Sequence, residues 1–285
     1  SNMTSKNKTA ENKRLGKNFH RTFAPERQYL GALLKYAADG GLYEKQAIAD
    51  KTGIPTGISS GKSLPTADYC RAMNLVTTVK EKDGEHLRLT SWGRTVLLED
   101  KFFKEDLTQW LSHLYLCQKR QGAEVWYQIF WNGAEILGQE FTVDTLTNWI
   151  YPILKVTDMK VMSPTFRMYG DDQSFKQCGA IREQCGVYYR TKAPIISTYA
   201  IAYAVWMTEA IECNGCAGAQ VSLDELEGLC GFRHITGWTL AESRQCLALL
   251  EQKGVFSIDR HMEPWLICNK YASSDLWKRV YEDFL

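Results

Sequence analysis

The 285-residue sequence has almost no excess of charge of either sign. Its 34 lysine and arginine residues nearly balance 33 aspartate and glutamate residues, which leaves a formal net charge of +1. A protein that attracted nucleic acid over its whole surface would carry a strong positive field. The composition therefore excludes a uniformly basic nucleic-acid-binding protein and confines any such binding to a local patch.

Long hydrophobic runs and export signals are also lacking. Residues 1–18 contain no apolar core, so we expect no secretory signal peptide. The strongest candidate for a membrane span, residues 194–211, is short and contains Glu209, so we interpret it as a buried core helix. The nine cysteines are scattered and odd in number. Without an export signal they indicate reduced thiols, a cytoplasmic location and no membrane partner.

Motifs of nucleophilic hydrolases and zinc proteases are absent, as is a phosphate-binding glycine loop. Residues 57–61 read G-I-S-S-G, but their spacing is wrong for such a loop. Cys213 and Cys216 form a lone CxxC pair, whereas a structural zinc site needs four ligands. Cys178 and Cys185 do not complete a recognised spacing, so we interpret the Asn-Gly between the first two as a tight turn.

A metal-dependent nuclease would need clustered carboxylates that hold a divalent cation. The nearest candidates are the adjacent pairs Asp171-Asp172 and Glu99-Asp100, which are typical of solvated turns. The five histidines are dispersed. His113 lies between two leucines on an amphipathic helix, which indicates a core histidine with satisfied hydrogen bonds. We therefore predict no cofactor, and a divalent metal only if the protein is a nickase.

Three helices followed by a hairpin are predicted near the N-terminus. The hairpin is indicated by an Asp-Gly turn at positions 83 and 84 between two short apolar runs. This order of elements is typical of a winged helix. The predicted helices span 27–38, 43–52 and 63–73, and the predicted strands span 75–80 and 86–89.

A similar order of elements recurs near the C-terminus, and aromatic-rich helices lie between the two. The C-terminal elements are helices 194–211, 222–231, 239–253 and 274–284, with strands 255–259 and 265–267. The central helices are 106–117, 123–130, 144–154 and 163–169, and a degenerate helix-turn-helix is an alternative for 141–173. We predict a mainly α fold with small β-hairpins. Its parts are a disordered basic tail (1–18), an N-terminal winged-helix domain (19–100), a helical middle domain (101–190) and a C-terminal winged-helix-like domain (191–285).

Polar and basic residues on the third helix and the hairpin are candidates for DNA contact. A helix in the major groove needs short polar side chains near its start and cations that hold phosphates. The tail adds a basic arm, although a solubilising leader is an alternative. In the C-terminal unit Glu242 disfavours DNA contact, so protein packing is the alternative there. The candidate DNA-binding residues are Lys62, Ser63, Thr66, Arg71, Lys82, Arg88, Lys13, Arg14, Lys17 and Arg21.

Several short motifs resemble those of the bacterial domain-of-unknown-function family 4007. His20-Arg21-Thr22-Phe23, with Tyr29-Leu30 after it, resembles the family's opening His-Glu-Thr-Phe and Trp-Leu. Further matches lie at 61–64 (Gly-Lys-Ser-Leu for Gly-Lys-Asn-Met), 89–93 (Leu-Thr-x-x-Gly), 110–113 and 126–127. The sequence departs from the pattern at Arg21, which replaces an acid, and at Arg27, which comes one residue late. An arginine expected soon after Lys62 is missing.

The resemblance implies a role beside DNA. Family members occur in bacterial gene clusters for DNA phosphorothioation and phage defence, near sulfur-transfer and ATP-pyrophosphatase-like enzymes, and the SspB-type branch is a DNA nickase. We therefore expect a DNA-binding component that docks duplex DNA through its N-terminal winged helix. Sulfur-transfer or ATPase proteins of the cluster are expected partners, and no small-molecule substrate is expected. The alternatives are a metal-dependent nickase, for which no catalytic residue can be assigned, and a protein-interaction adaptor.

Overall fold

Capping residues begin several helices of this chain, and glycines in the left-handed conformation end some of them. The computed structural model describes residues 13–59, 61–215, 218 and 220–284. The chain divides into two compact units, unit 1 (Ser1–Thr191) and unit 2 (Lys192–Leu285). Both units are mainly helical and contain small antiparallel sheets, as the sequence predicts. The finer domain boundaries stay predictions.

Unit 1 begins with three helices, a hairpin and a fourth helix. These are α1 (Arg27–Ala38), α2 (Lys45–Thr52), α3 (Ser63–Ala72), β1 (Val76–Glu81), β2 (Gly84–Leu89) and α4 (Ser91–Glu99). The Glu44 carboxylate caps α2 by accepting the N–H groups of Gln46 and Ala47. Helix α2 ends at Gly53, whose φ of 75° suits glycine. The predicted helices and hairpin are present, whereas the winged-helix arrangement stays a prediction.

The second half of unit 1 combines helices with a three-stranded sheet that was not predicted. Its elements are α5 (Asp106–Leu116), α6 (Glu124–Trp126), a π-helical segment (Tyr127–Asn132), α7 (Ala134–Leu137), β3 (Glu140–Thr142), α8 (Val143–Leu154), α9 (Ser163–Met168), β4 (Ile181–Gln184) and β5 (Val187–Arg190). Strand β5 lies in the centre, antiparallel to both β3 and β4. The strands have only three or four residues, so the sequence shows no clear alternation of apolar and polar positions.

Unit 2 contains one long buried helix and one three-stranded sheet. Its elements are α10 (Ala200–Cys213), β6 (Val221–Ser222), α11 (Leu223–Cys230), α12 (Phe232–Thr236), α13 (Leu240–Gln252), β7 (Phe256–Asp259), β8 (Leu266–Asn269) and α14 (Ser273–Leu276). Strand β8 pairs with both β6 and β7. The single helix predicted for 274–284 is interrupted after Leu276 and continues as two 3₁₀ turns.

The described part of the chain contains no helix that is long and apolar enough to cross a membrane. The buried helix α10 corresponds to the predicted core helix at 194–211, and ten of its fourteen residues are buried. Cys216 lies outside the described residues, so the structure says nothing of the CxxC pair.

Candidate nucleic-acid interface

Helix α3, which the sequence predicts to enter the major groove, is largely covered in unit 1. Seven of its ten residues are buried, and Ser63 and Thr66 expose only 0% and 4% of their surfaces. The Ser63 hydroxyl donates to the Lys45 carbonyl at 3.0 Å. These two hydroxyl groups therefore lie inside the packing of unit 1, where they cannot reach the edges of bases.

Distant segments of unit 1 cover this helix. The ring of Phe19 packs edge-on against Tyr69 of α3, with centroids 4.8 Å apart, and Trp126 packs against the same ring at 5.8 Å. Tyr69 also donates to the Phe23 carbonyl at 2.6 Å. Helix α3 is therefore held between the N-terminal segment and the aromatic helices that follow α5.

Lys62 at the start of α3 is engaged in an ion pair. Its Nζ lies 3.0 Å from the Glu26 carboxylate and stands 5.6 Å from the centroid of the Phe23 ring and 5.8 Å from that of Tyr29. The ammonium group therefore stabilises the entry to α1, and it is not among the residues that line the groove described next.

Three cations converge on one open groove of about 830 Å³, which we call the basic groove. Lys13 comes from the N-terminal segment, Arg71 from the end of α3 and Lys80 from β1. The lining contains one carboxylate, Glu85, which is paired across the hairpin with Lys80 in the strand register. The lining also includes Asn74, Thr77, Thr78 and Gln121. This groove carries a net positive charge in a chain that is almost neutral.

Arg71 is the most constrained of the three cations. Its Nη1 donates to the Asp68 carboxylate at 3.0 Å and to the Tyr43 hydroxyl oxygen at 3.2 Å, and Tyr43 donates to the same carboxylate oxygen. Burial raises the pKa of the Asp68 carboxyl, although the Tyr43 hydrogen bond and the charges of Arg71 and Arg21 oppose the rise. Burial would lower the pKa of Arg71, but the neighbouring Tyr43 and Asp68 raise it overall.

Arg14 and Lys17 fasten the N-terminal segment to unit 1. The Arg14 guanidinium lies 2.7 Å from the Glu124 carboxylate, donates to the Lys119 carbonyl and stands 4.0 Å over the Tyr127 ring. Lys17 donates to the carbonyl of Leu154 at 2.5 Å, which suits a cation because the carboxyl end of α8 is negative. Residues 13–18 of the predicted disordered tail are thus held against helices, and residues 1–12 lie outside the described residues.

A smaller depression of about 350 Å³ adjoins the basic groove through Lys13. It is lined by Lys13, Arg14, Lys17, Lys119 and Glu124, among others. Sequence reasoning missed Lys119, although Lys119-Arg120 is a basic pair just after α5. The basic groove and this depression form one positively charged stripe across unit 1.

Arg21 is exposed on a backbone turn that is strained and held from several sides. Arg21 and Thr22 have φ angles of 47° and 70°, which non-glycine residues seldom adopt. The buried His20 ring accepts the Thr22 N–H at 3.0 Å and lies 3.0 Å from the Val161 carbonyl. Burial lowers the pKa of His20 to about 4. The histidine of the family-like motif is therefore neutral, with Nε2 as the donor, and its role is structural.

The predicted hairpin cations differ in their surroundings. Lys82 is exposed at the turn, and Arg88 forms an ion pair with Glu81. Neither is among the residues lining the basic groove.

His86 lies 2.7 Å from Asp83 through Nε2 and 2.7 Å from the Gly40 carbonyl through Nδ1. The carbonyl and the carboxylates raise the pKa of His86, because both ring nitrogens face acceptors.

Among the described residues, one group has ligand atoms close enough to hold a metal ion: Glu81, Asp83 and His86. Its geometry is that of an imidazolium ion pair. The interpretation of both carboxylate pairs as solvated turns is wrong for Asp100, which is buried and accepts two backbone N–H groups and the Thr108 hydroxyl. In the other pair, Asp172 forms an exposed ion pair with Lys176.

Comparison with solved structures shows an SspB-type fold. The chain matches a magnesium ion-bound SspB crystal structure with a TM-score of 0.73 and 17% identity, over 96% of this chain and 89% of that one. It matches a second SspB crystal structure with a TM-score of 0.70 and 18% identity, over the same shares. No protein-family model matches the sequence, and no curated protein matches it. The likeness therefore establishes the fold alone.

Proposed function

We propose that unit 1 binds the sugar–phosphate backbone of duplex DNA along the basic groove. The convergence of Lys13, Arg71 and Lys80 from three separate segments carries this proposal. In a chain whose net charge is +1, such a local concentration suits a polyanionic partner. Because backbone contacts position a protein without reading bases, we expect binding with little sequence preference.

This mode of binding does not need an exposed recognition helix. Helix α3 offers its Arg71 end to the groove, whereas Ser63 and Thr66 at its beginning are buried. Phosphates can be held by cations on a strand, on a helix end and on an extended segment. The proposal therefore replaces docking through the start of α3 with contact along the side of the helix–hairpin unit.

Two likenesses support a place in a bacterial DNA-modification or phage-defence system. The short motifs resemble those of family 4007, whose members accompany DNA phosphorothioation genes, and the fold is of the SspB type. We propose that the protein is the DNA-binding component of such a system in the bacterial cytoplasm. Its partners would be duplex DNA and sulfur-transfer or ATPase proteins of the same gene cluster.

A metal-dependent nickase is a second candidate, because one structural neighbour is a magnesium ion-bound SspB. The one group of three close metal-ligand side chains among the described residues does not fit magnesium well. The group Glu81, Asp83 and His86 includes an imidazole that is hydrogen-bonded at both nitrogens, whereas magnesium prefers oxygen ligands. We place DNA binding before cleavage because the cations of the basic groove suit phosphates directly.

The test is fluorescence anisotropy with a labelled duplex of about 30 base pairs. The variant Lys13→Ala with Lys80→Ala removes two cations of the basic groove, and we expect it to bind much more weakly at 100 mM salt. The matched control is Lys51→Ala with Lys160→Ala, since both lysines are exposed and lie outside the groove. The control should bind like the unchanged protein.

Equal affinities of the groove variant and the control would contradict the proposal. Failure of the unchanged protein to bind the duplex even at low salt would favour the protein-interaction adaptor. Relaxation of supercoiled plasmid in the presence of magnesium or manganese, and not of a chelator, would favour the nickase.

A further inference from the structure

The groove contains one cation whose orientation is fixed by its neighbours. The Nη1 atom of Arg71 donates to both Asp68 and Tyr43, while the guanidinium carbon stands 5.3 Å from the centroid of the Tyr43 ring. Among the described residues, no acceptor forms a hydrogen bond with Nε or Nη2 of Arg71. One corner of the guanidinium is therefore bound inside unit 1, and its other donors remain available at the groove.

Arginine binds phosphate best when two N–H groups point in parallel at two oxygens. A long side chain in solution samples many rotamers, and fixing one of them costs conformational entropy. In this structure Tyr43 and Asp68 fix the rotamer in advance, because the side chain of Arg71 is only 33% exposed and that of Asp68 only 16%. Among the described residues, neither Lys13 nor Lys80 of the same groove forms an ion pair that would restrain it in this way.

The negative charge of Asp68 would repel a phosphate unless it were balanced. Arg71 lies 3.0 Å from the carboxylate, and the charge of Arg21 also acts on it. Two arginines around one carboxylate leave a net positive charge at this end of the groove. The same pair of arginines explains how a largely buried acid can lie next to a site for an anion.

We infer that Arg71 is a two-pronged receptor for one phosphodiester phosphate and that Tyr43 and Asp68 are its positioning residues. The inference rests on the proposed function and adds a distinct phosphate position within the basic groove. Lys13 and Lys80 attract the strand as point charges, whereas Arg71 holds one phosphate in a defined geometry. Tyr43 contributes through its hydroxyl group alone and does not contact the DNA.

The test is a double-mutant cycle measured with the same labelled duplex. Its variants are Tyr43→Phe, Arg71→Ala and the two combined. Tyr43→Phe removes the hydroxyl that bonds to the charged groups of Arg71 and Asp68, whereas the bond from Arg71 to Asp68 remains. Because one of two restraints on Arg71 is lost, we expect about a fivefold weakening of binding for Tyr43→Phe alone. In the Arg71→Ala background the same substitution should change the affinity by less than about twofold, since its effect passes through Arg71.

A purely structural role for Tyr43 would weaken binding equally in both backgrounds, and that additive result would overturn the inference. Thermal unfolding of each variant checks that the fold is retained. The salt dependence gives a second readout. Tyr43→Phe keeps the charge of Arg71 and should leave the salt slope unchanged, whereas Arg71→Ala should reduce its magnitude by about 0.9.

The outcomes distinguish the inference from the proposed function. If the unchanged protein does not bind the duplex, the proposed function fails and the inference fails with it. If the unchanged protein binds and Arg71→Ala binds equally well, only the inference is overturned, because Lys13 and Lys80 would then suffice. A strong effect of Arg71→Ala with none of Tyr43→Phe would overturn the positioning role.

Discussion

Replacing Tyr169 with phenylalanine removes one buried oxygen atom that serves two partners. The indole N–H of Trp126 donates to the Tyr169 hydroxyl oxygen at 3.1 Å, and that hydroxyl is bonded to Nδ1 of His113. An indole nitrogen can only donate, so the Tyr169 oxygen accepts from Trp126 and its own hydrogen remains to be donated to another group. Burial, followed by the charge of Arg190, lowers the pKa of His113 to about 3. The neutral ring therefore accepts at Nδ1.

The magnitude follows from the two groups that lose the Tyr169 hydroxyl, of which His113 keeps only the weak contact of Nδ1 with the Cys117 Sγ at 3.8 Å. A buried donor or acceptor that loses its partner costs about 1–3 kcal/mol, so the variant should lose about 3 kcal/mol of unfolding free energy. For a unit of this size, each kcal/mol lowers Tm by about 2–4 °C. We therefore expect a decrease of roughly 6–12 °C for Tyr169→Phe.

Thermal unfolding followed by circular dichroism, with urea unfolding beside it, measures this loss. The matched control is Tyr189→Phe, because Tyr189 is 39% exposed on β5 and the substitution removes the same oxygen atom. The control should unfold within about 1 °C of the unchanged protein. If both variants unfold at the same temperature, the hydrogen-bonded core around Tyr169 is not as described.

Two further substitutions test the hairpin of unit 1 and the beginning of helix α4, which follows it. The pKa of His86 is raised above its ordinary value of 6.5 in the folded state only. The stabilisation from His86 should therefore be complete below pH 6.5 and be lost as the pH rises through the folded pKa. The difference in urea midpoint between the unchanged protein and His86→Gln should therefore shrink at high pH, and a constant difference would contradict the imidazolium pair. Thr90→Ala removes the cap that accepts the Gly93 N–H at 3.0 Å and should cost about 1 kcal/mol in urea unfolding. An unchanged midpoint would show that the cap does not stabilise α4.

Local sequence signals sufficed for both ends of helix α11 in unit 2. The helix predicted to begin at residue 222 starts with a capping box, in which the side chains of Ser222 and Glu225 each accept the other's backbone N–H. Gly231 ends that helix with a φ of 61°, as expected for a glycine at this position. Such signals act over four residues and do not depend on distant packing, which explains why the sequence alone indicates them.

The three-stranded sheet of unit 1, formed by β3, β4 and β5, could not be predicted in the same way. Residues 140–142 pair with 187–189, more than 40 positions away. Three residues cannot display a period of two, and the pairing depends on the helices between the strands. The burial of two candidate residues could not be predicted for the same reason. Ser63 and Thr66 look like exposed polar residues of a helix start, but segments distant in sequence bury them.

The N-terminal segment shows how a structural role can resemble a binding role in sequence. Lys13, Arg14 and Lys17 form a basic cluster, and all three were predicted to contact DNA. In the structure, Arg14 and Lys17 bind acceptors of unit 1, whereas Lys13 lines the basic groove. Composition predicts the charge of such a segment, but only the fold shows which cation faces outward.

Binding of the duplex to the unchanged protein at increasing salt concentration tests the central claim most directly. Three groove cations that each neutralise a phosphate give a slope of about −2.7 for log affinity against log salt. The affinity should therefore fall by about 40-fold between 50 and 200 mM salt. A measurable affinity with that dependence would support phosphate binding in the basic groove. No binding at 50 mM salt, or an affinity that does not change with salt, would contradict it.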